Sequence, residues 1–370
     1  MKILHLYKSF LPEQNGGIPE FIKNIILGGR SLGLDGEVFT FTNSNTRFPA
    51  THEDIIVTRS KSDVELFSTP FGISAIKQFN DILPKFDLVH CHYPFPFGDF
   101  LTLTSTLKVK TLLTYHSDII EQKYVKYLYY PLENKFLSSV NRIICTSENY
   151  IASSSNLTKY SDKLAVVPLG LADLTKTKLA ATVASKWKKI LPERFILFLG
   201  VLRRYKGIEI LLEASKKTSC KVIVAGGGIL LEHFKKQLKK ENITNVVFIG
   251  PYSDADKIAL ISLCTAIVLP SISRNEAFGL TLVEGAMFSK PLISTELHTG
   301  TSFVNVNEKT GFVIPPNNSE MLAASMEKLI GNNVLAKQFG KNARHRYETL
   351  FTAGKMCSSY QKHYHEIVNE

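Results

Sequence analysis

The chain has 370 residues and a mass of 41.4 kDa, which is enough for two domains and for a core that needs no disulfide or metal to stabilise it. Hydrophobic residues make up 44% and charged residues 21%, which excludes a mainly disordered, collagen-like or coiled-coil protein. Lysine and arginine number 44 against 33 acidic residues, and the net charge of +11 favours phosphates, nucleic acid or an anionic membrane surface as partners.

Membrane-spanning and secreted proteins are also disfavoured. No stretch of about 18 apolar residues occurs. The short apolar run at the N-terminus is interrupted by Lys8 and followed by polar residues, unlike a signal peptide. The five cysteines are scattered and form no CxxC pair, which is typical of buried, reduced thiols. We therefore expect a cytoplasmic protein whose contact with a membrane is peripheral.

In the first half of the chain, short apolar runs alternate with helix-like stretches. Strands are predicted at 2–7, 37–42, 54–58, 87–92, 111–116, 142–146 and 163–168. Helices are predicted between most of them, including 18–32 and 124–140. Strands that alternate with helices form parallel sheets covered on both faces, so this half is expected to be an α/β domain.

The alternation pauses at 169–192, interpreted as an interdomain connection with some helix, and then restarts. Strands are predicted at 195–200, 222–225, 246–249, 266–269, 291–294 and 312–314, and helices near 207–217, 230–240, 254–262, 280–288 and 319–330. The sequence thus predicts two Rossmann-like parallel-sheet domains, 1–175 and 176–351, with a C-terminal helix at 352–370 packing back on the first. Ligands of such sheets bind at the carboxyl ends of the strands, so we expect a central cleft lined by strand-end loops.

Two loops that follow predicted strands suit phosphate groups. Gly16 and Gly17 come just before a helix, where backbone N–H groups and the helix dipole favour an anion; the alternative is an ordinary turn. Arg203, Arg204 and Lys206 follow the strongest strand signal, and three cations there suit a diphosphate; the alternative is a solvated basic turn.

The most specific pattern is a string that crosses a predicted strand-to-helix turn. It consists of Glu276, Ala277, Phe278, Gly279 and Leu280, with Glu284 eight residues after the first glutamate. A carboxylate accepts hydrogen bonds from vicinal hydroxyls, so one glutamate could hold a sugar ring and the other a ribose.

Histidines form a weaker signal. His116 ends a predicted strand and could bond to a sugar or phosphate oxygen, although a strand-end histidine is more often structural. His90 and His92 share one face of another strand, but no third ligand is evident. We therefore predict no metal site and no cofactor.

Together, these motifs resemble those of the family 4 retaining glycosyltransferases of the GT-B type over nearly the whole chain. The resemblance rests on the Gly16-Gly17 loop, the run around His116, the loop 200–207 and the string 276–284. It implies a sugar-nucleotide donor held chiefly by the C-terminal domain.

The resemblance also implies a role for each motif. Arg203 and Lys206 would hold the diphosphate, and Glu284 the ribose. Glu276 and the adjoining backbone of 277–280 would hold the donor sugar, on which His116 and the glycine loop would close from the other domain. The catalytic candidates are therefore His116, Arg203, Lys206 and Glu276.

One departure from the family pattern leaves a choice open. The family usually has an arginine directly after the first glycine of the basic loop, where this chain has Val201. Arg203 is the expected substitute, and Arg204 is the alternative.

A finer resemblance concerns the donor. The run 294–305 resembles bacterial mannosyltransferases of O-antigen assembly, which implies GDP-mannose and a polyprenyl-diphosphate-linked glycan acceptor at the inner face of the cytoplasmic membrane. It also implies retention by front-face attack, with the leaving phosphate accepting the acceptor's proton.

Other reactions and other classes of protein fit parts of this pattern. A UDP-sugar donor, a sugar-nucleotide hydrolase and an epimerase fit the same fold. A dehydrogenase would need GxGxxG after the first strand, and a P-loop enzyme GxxxxGK[ST]; neither pattern is present. A nucleic-acid-binding protein without catalysis could use the positive charge, but lysine and arginine are spread over both halves and we expect no nucleic-acid partner.

The segment 122–136 mixes aromatic and basic residues. On a helix it would form an amphipathic face, with lysines meeting anionic lipid and tyrosines at the boundary. The alternative is that its aromatic residues belong to the core. A peripheral contact with the membrane is the expectation.

Overall fold

The computed structural model describes residues 1–14, 16–43, 50–119, 123–177 and 180–370. Numbered in chain order, the strands are β1 Lys2–Leu6, β2 Asp35–Thr42, β3 Thr51–His52, β4 Ile55–Lys61, β5 Val64–Leu66, β6 Thr69–Phe71, β7 Leu88–Tyr93, β8 Lys110–Tyr115, β9 Arg142–Cys145, β10 Leu164–Val166, β11 Ile196–Leu199, β12 Val222–Ala225, β13 Val246–Gly250, β14 Ala266–Leu269, β15 Leu292–Thr295 and β16 Gly311–Ile314.

The α-helices follow the same chain order. They are α1 Gly17–Arg30, α2 Ile73–Ile82, α3 Pro96–Thr104, α4 Lys123–Ser139, α5 Glu148–Ser153, α6 Ala180–Ile190, α7 Ile208–Ser215, α8 Leu231–Lys240, α9 Asp254–Leu263, α10 Leu280–Met287, α11 Gly300–Val304, α12 Ser319–Gly331, α13 Asn333–Leu350 and α14 Ala353–Asn369. The predicted alternation of strands and helices is confirmed.

The chain divides into two compact units. One comprises Met1–Gly170 together with Ala353–Glu370, and the other comprises Leu171–Thr352. Helix α6 arises within the segment expected to be a connection, but it belongs to the second unit. Its Trp187 donates a 2.8 Å hydrogen bond from Nε1 to Asp256 of α9.

The sheet of the first unit has the strand order β10-β9-β8-β7-β1-β2-β4-β3. Its pairs are parallel except at the edge, where β3 runs antiparallel to β4. Strands β5 and β6 form a separate antiparallel hairpin that the sequence analysis did not predict. β7 is buried along its whole length, as expected for a strand covered on both faces.

The sheet of the second unit has the order β13-β12-β11-β14-β15-β16, and all its pairs are parallel. This is the doubly wound order in which the direction of strand addition reverses beside the first strand. The reversal lies between β11 and β14, both fully buried apolar strands.

Helix α14 completes the first unit, although it follows the second unit in sequence. It packs on α1, where a Cβ on Gly28 would lie 2.6 Å from Sγ of Cys357. Tyr360 is fully buried, its ring 5.7 Å from that of Phe21 and its hydroxyl 2.9 Å from Oγ1 of Thr114. All five cysteines are buried free thiols, as expected.

Replacing Tyr360 by alanine should destabilise the first unit strongly. The substitution removes a buried ring that packs against α1 and leaves the Thr114 hydroxyl without this partner, so we expect a loss of about 3–5 kcal/mol in the free energy of unfolding. Urea unfolding monitored by circular dichroism measures it. Tyr127→Ala is the matched control, because that ring is 87% exposed; equal effects of the two substitutions would contradict the packing role.

Candidate active site

The reversal point of the second sheet brings two predicted loops together. One loop follows β11 and carries the basic residues, and the other follows β14 and carries Glu276. The backbone N–H of Ile272 donates a 2.8 Å hydrogen bond to the carbonyl of Tyr205, which links the loops directly. Ligands of open parallel sheets bind at this position.

The basic loop is held by a close backbone approach. It makes a short 3-10 turn at Arg204–Lys206 and reaches Gly207 with φ of 70°, in the left-handed region. A Cβ at this glycine would lie 2.0 Å from the carbonyl oxygen of Pro270, so no larger residue fits without a shift. Arg203 and Arg204 are exposed, whereas Lys206 turns into the sheet end.

Lys206 forms an ion pair with Glu276, and both side chains are largely buried. The distance from Nζ to Oε2 is 2.5 Å, and Ser271 donates a 3.2 Å hydrogen bond from Oγ to the same oxygen. Burial lowers the pKa of Lys206, but the facing Glu276 carboxylate outweighs this effect, so the net shift is upward. Lys206 is therefore a fixed positive charge at the carboxyl end of β11.

The segment after Glu276 presents backbone rather than side chains. Phe278 is buried, with its ring 6.1 Å from that of Phe351. The carbonyl of Ala277 accepts a 2.8 Å hydrogen bond from Gly300. Gly279 has φ of 84° and is the N-cap of α10, which begins at Leu280. Any contact of Phe278 with a ligand would therefore be made by main-chain atoms.

Glu284 projects from α10 toward α9. Its Oε1 lies 3.1 Å from Nζ of Lys257, which also lies 3.2 Å from Oδ1 of Asp254. Burial lowers the pKa of Lys257, but these two carboxylates raise it more, so the net shift is upward. Burial raises the pKa of Tyr252, and the charge of Glu284 adds to the increase. Glu284 is therefore held in place by a lysine that no sequence motif revealed.

The remaining sequence-predicted residues belong to the first unit. Gly16 and Gly17 are exposed at the start of α1, with Gly16 as its N-cap. His116 follows β8, is 8% exposed, and donates its backbone N–H to the carbonyl of Tyr93 at 3.2 Å. Phe21 of α1 packs edge-on against the His116 ring, with the centroids 5.1 Å apart.

His116 belongs to a buried cluster of four imidazoles. His5 of β1 pairs in register with His90 of β7, which places His5 beside His90 and His92. Candidate ligand atoms of these three residues lie within 4.8 Å of one another, so the structure supplies a third potential ligand, His5, that was not evident from the sequence. His5 lies in this cluster because β1 pairs with β7, and the spacing of residues in the sequence did not reveal that pairing.

Hydrogen bonds occupy six of the eight ring nitrogens of this cluster, including both nitrogens of His90 and of His92. His92 bonds to His5 through Nε2 and to His116 through Nδ1, at 3.1 Å and 3.2 Å. His90 bonds to Tyr364 through Nδ1 and to Thr114 through Nε2, both at 2.7 Å. A metal ion would have to displace these bonds, and the polar network accounts for the geometry by itself.

Two protein-family models match the chain. One is described as Glycosyltransferase Family 4 and matches residues 15–172; the other is described as Glycosyl transferases group 1 and matches residues 182–346.

Named relatives and a solved structure agree with these matches. The chain is 41% identical to the O-antigen chain mannosyltransferase C of Escherichia coli over 97% of both chains. It is 39% identical to the D-rhamnosyltransferase WbpZ of Pseudomonas aeruginosa over 95% of this chain and 93% of the relative. The structure of Anabaena HepE in complex with UDP and glucose matches with a TM-score of 0.78 at 17% identity, covering 98% of this chain and 99% of that one.

The chain therefore belongs to the family 4 glycosyltransferases, and its fold is GT-B.

The buried imidazoles should make the stability of the protein depend on pH. Burial lowers the pKa of His5 and His116 to about 3, and it lowers the pKa values of His90 and His92 well below 6.5. The unfolded chain takes up protons near pH 6.5 that the folded chain cannot. The contribution of these imidazoles to the free energy of unfolding is therefore fully present above pH 6.5. It is lost as the pH falls toward 3, by about 1.4 kcal/mol per pH unit for each imidazole.

The measurement is urea unfolding at pH 7.5, 6.5 and 5.5. Burial raises the pKa of Asp99, whose protonation opposes the acid loss, so the comparison is made with His5→Gln, which keeps Asp99. The variant lacks one of the titrating imidazoles and should lose stability less steeply. Parallel curves for the two proteins would contradict the assignment.

Proposed function

We propose that the protein transfers mannose from GDP-mannose to a lipid-linked oligosaccharide in O-antigen biosynthesis, with retention at the anomeric carbon. The observation that carries the proposal is a pair of lysine–glutamate contacts near the reversal point of the second sheet: Lys206 with Glu276, which is largely buried, and Lys257 with Glu284, which is partly buried. The names of the two relatives, a mannosyltransferase and a rhamnosyltransferase, support the sugar class and the pathway.

Binding of the donor diphosphate is assigned to the basic loop. Lys206 supplies a charge whose position is fixed by Glu276, while exposed Arg203 supplies a guanidinium that can bond to two oxygens. Arg204 is equally exposed and is the alternative. Negative charge grows on the diphosphate as the glycosidic bond breaks, so these cations stabilise the transition state more than the bound donor.

The two glutamates would bind different hydroxyl groups. Glu276 lies directly beside Lys206, so a sugar bonded to this carboxylate has its phosphate next to the lysine. Glu284 lies in α10, eight residues after Glu276 in the preceding loop, and is assigned to the ribose. Each carboxylate has further lone pairs, besides the one that faces its lysine, with which it can accept hydrogen bonds from a ligand.

The proposed step is a displacement at the anomeric carbon. The bond from C1 to the diphosphate oxygen breaks and a bond from C1 to the acceptor oxygen forms, through an oxocarbenium-like transition state. The acceptor's proton passes to the departing phosphate, on the same face of the sugar. His116 is the proposed polar contact from the first unit, and Gly16 and Gly17 are proposed to bring backbone N–H groups to the donor.

Identifying the donor tests the proposal directly. Purified protein is incubated with GDP-mannose, GDP-D-rhamnose or UDP-glucose together with lipid-linked acceptor, and the glycolipid product and released nucleotide are measured. We expect product with GDP-mannose only when the acceptor is present. If UDP-glucose is the only donor that gives product, the assignment of GDP-mannose is wrong and the donor is a UDP-sugar. Nucleotide release that does not require the acceptor would identify a hydrolase.

The roles of the two glutamates can be separated with glutamine variants. Glu284→Gln should raise the Kd for GDP about tenfold, because a charged hydrogen bond to the ribose is lost. Glu276→Gln should leave GDP binding within twofold and lower kcat about a hundredfold, because the sugar and Lys206 lose their partner.

Calorimetry with GDP and initial rates with GDP-mannose measure the two effects. Glu232→Gln is the matched control, because that carboxylate is 73% exposed in a surface ion pair with Lys235. Equal loss of GDP affinity in both site variants would refute this division of roles.

A peripheral membrane contact is proposed for α4. Tyr127 and Leu128 are 87% and 84% exposed, while Tyr129 and Phe136 of the same helix are buried and anchor it to the first unit. Residues 120–122 and the side chains of 123–126, which include the two lysines expected to meet anionic lipid, Lys123 and Lys126, lie outside the described part of the chain. Within that part, no helix has the length and apolarity needed to cross a bilayer.

Cosedimentation with anionic vesicles tests this contact. The protein should bind reversibly at low salt and dissociate as salt rises, because surface cations near anionic lipid are screened. The double variant Tyr127→Ser, Leu128→Ser should weaken binding about tenfold or more, since two apolar side chains no longer enter the headgroup layer. Ile229→Ser is the control, at a residue 97% exposed in the second unit. Equal binding by all three proteins would exclude this face.

A further inference from the structure

We propose that His92 is a positioning residue for His116, and that the chain His5–His92–His116 leaves Nδ1 of His116 as the nitrogen that meets the substrate. The effect of this arrangement on turnover rests on the proposed function. The hydrogen-bonding arrangement itself can be tested without any activity.

The geometry of His92 carries the inference. Its Nε2 lies 3.1 Å from Nδ1 of His5, and its Nδ1 lies 3.2 Å from Nε2 of His116. Both nitrogens of His92 are therefore used inside the protein. Nε2 of His116 bonds to His92. Among the described residues, no side chain or backbone group bonds to Nδ1 of His116.

Protonation couples the three rings. Burial lowers the pKa of each imidazole, so all three are neutral near pH 7 and each carries one N–H. Each of the two nitrogen–nitrogen contacts needs one N–H, so the protons must all point along the chain in one direction or the other. The tautomer of His116 cannot change unless His92 and His5 change with it.

Packing fixes the rings as well as the protons. Phe21 of α1 meets His92 and His116 edge-on, with centroid distances of 5.7 Å and 5.1 Å. His5 is held by β1, and His92 by β7, where it pairs in register with Thr114 of β8. A ring held at one nitrogen and along one edge keeps its second nitrogen in a constant direction, which is the requirement for a positioned polar contact.

His90 belongs to a separate branch and provides a matched control. It is as deeply buried as His92, and the two ring centroids are 4.2 Å apart. Its nitrogens bond to Tyr364 and Thr114 rather than to a member of the His5–His92–His116 chain. A substitution of His90 therefore disturbs the same core without breaking the chain that reaches His116.

The first experiment uses the wild-type protein labelled with 15N-histidine. Long-range 1H–15N correlation spectra at pH 7.5 distinguish the two neutral tautomers of each ring. We expect His116, assigned by comparison with His116→Ala, to show one neutral tautomer with slow exchange. Shifts averaged between the two tautomers would overturn the proposal, as would about one equivalent of a transition metal in elemental analysis of the purified protein, because the ion would occupy the lone pairs.

The second experiment compares His92→Leu, His92→Asn and His90→Gln. His92→Leu should release the tautomer of His116 and lower kcat about tenfold, with KM for GDP-mannose and Kd for GDP within twofold. His92→Asn places an amide near the position of Nδ1 and should recover most of kcat. His90→Gln should leave the tautomer unchanged.

The outcomes separate this inference from the proposed function. Full turnover in His116→Ala would remove His116 from the reaction, while the spectra would still test the chain. Loss of turnover in His116→Ala combined with an unchanged tautomer and kcat in His92→Leu would overturn the role of His92. If His92→Leu does not fold, the recovery by His92→Asn and the wild-type spectrum decide the question.

Discussion

The buried ion pair between Lys206 and Glu276 is the constraint on which the site of the second unit depends. Removing either partner would leave a charge in a largely dehydrated position, so the two loops that carry them must stay together. The backbone bond between Tyr205 and Ile272 and the close approach at Gly207 act in the same direction. An anionic ligand that enters beside Lys206 therefore meets a charge that is already in place, so its binding requires little reorganisation of the site.

Most elements of the second unit could be predicted from the sequence because its strands are buried on both faces. Such strands are continuous apolar runs, and the predicted and observed bounds agree at Val222–Ala225 and Ala266–Leu269. Helix α13 was missed because its buried stripe includes alanine and glycine, which weaken the apolar period. The hairpin β5–β6 was missed because Val64–Leu66 is exposed throughout and lacks the alternation of a half-buried strand.

Some residues of the candidate site could likewise be predicted from local sequence, and others could not. Glu276, Lys206 and Glu284 lie in local strings whose residue types indicate their chemistry, so one sequence is enough to select them. Lys257 and His5 act through pairings set by strand order and helix packing, and nothing in their local sequence distinguishes them. The four-histidine cluster depends on β1 lying beside β7, an adjacency that residue spacing cannot supply.

The position of α14 has a consequence for synthesis on the ribosome. The helix covers α1 and supplies Tyr360 and Tyr364 to the histidine cluster, yet it is translated after all of residues 171–352. At about 5–20 residues per second, the first unit waits roughly ten to forty seconds for its last helix. During that interval His90 lacks the hydroxyl of Tyr364, Thr114 lacks that of Tyr360, and a face of α1 is uncovered. A nascent chain of this topology therefore exposes part of the core of its first unit for longer than one in which each unit is continuous in sequence.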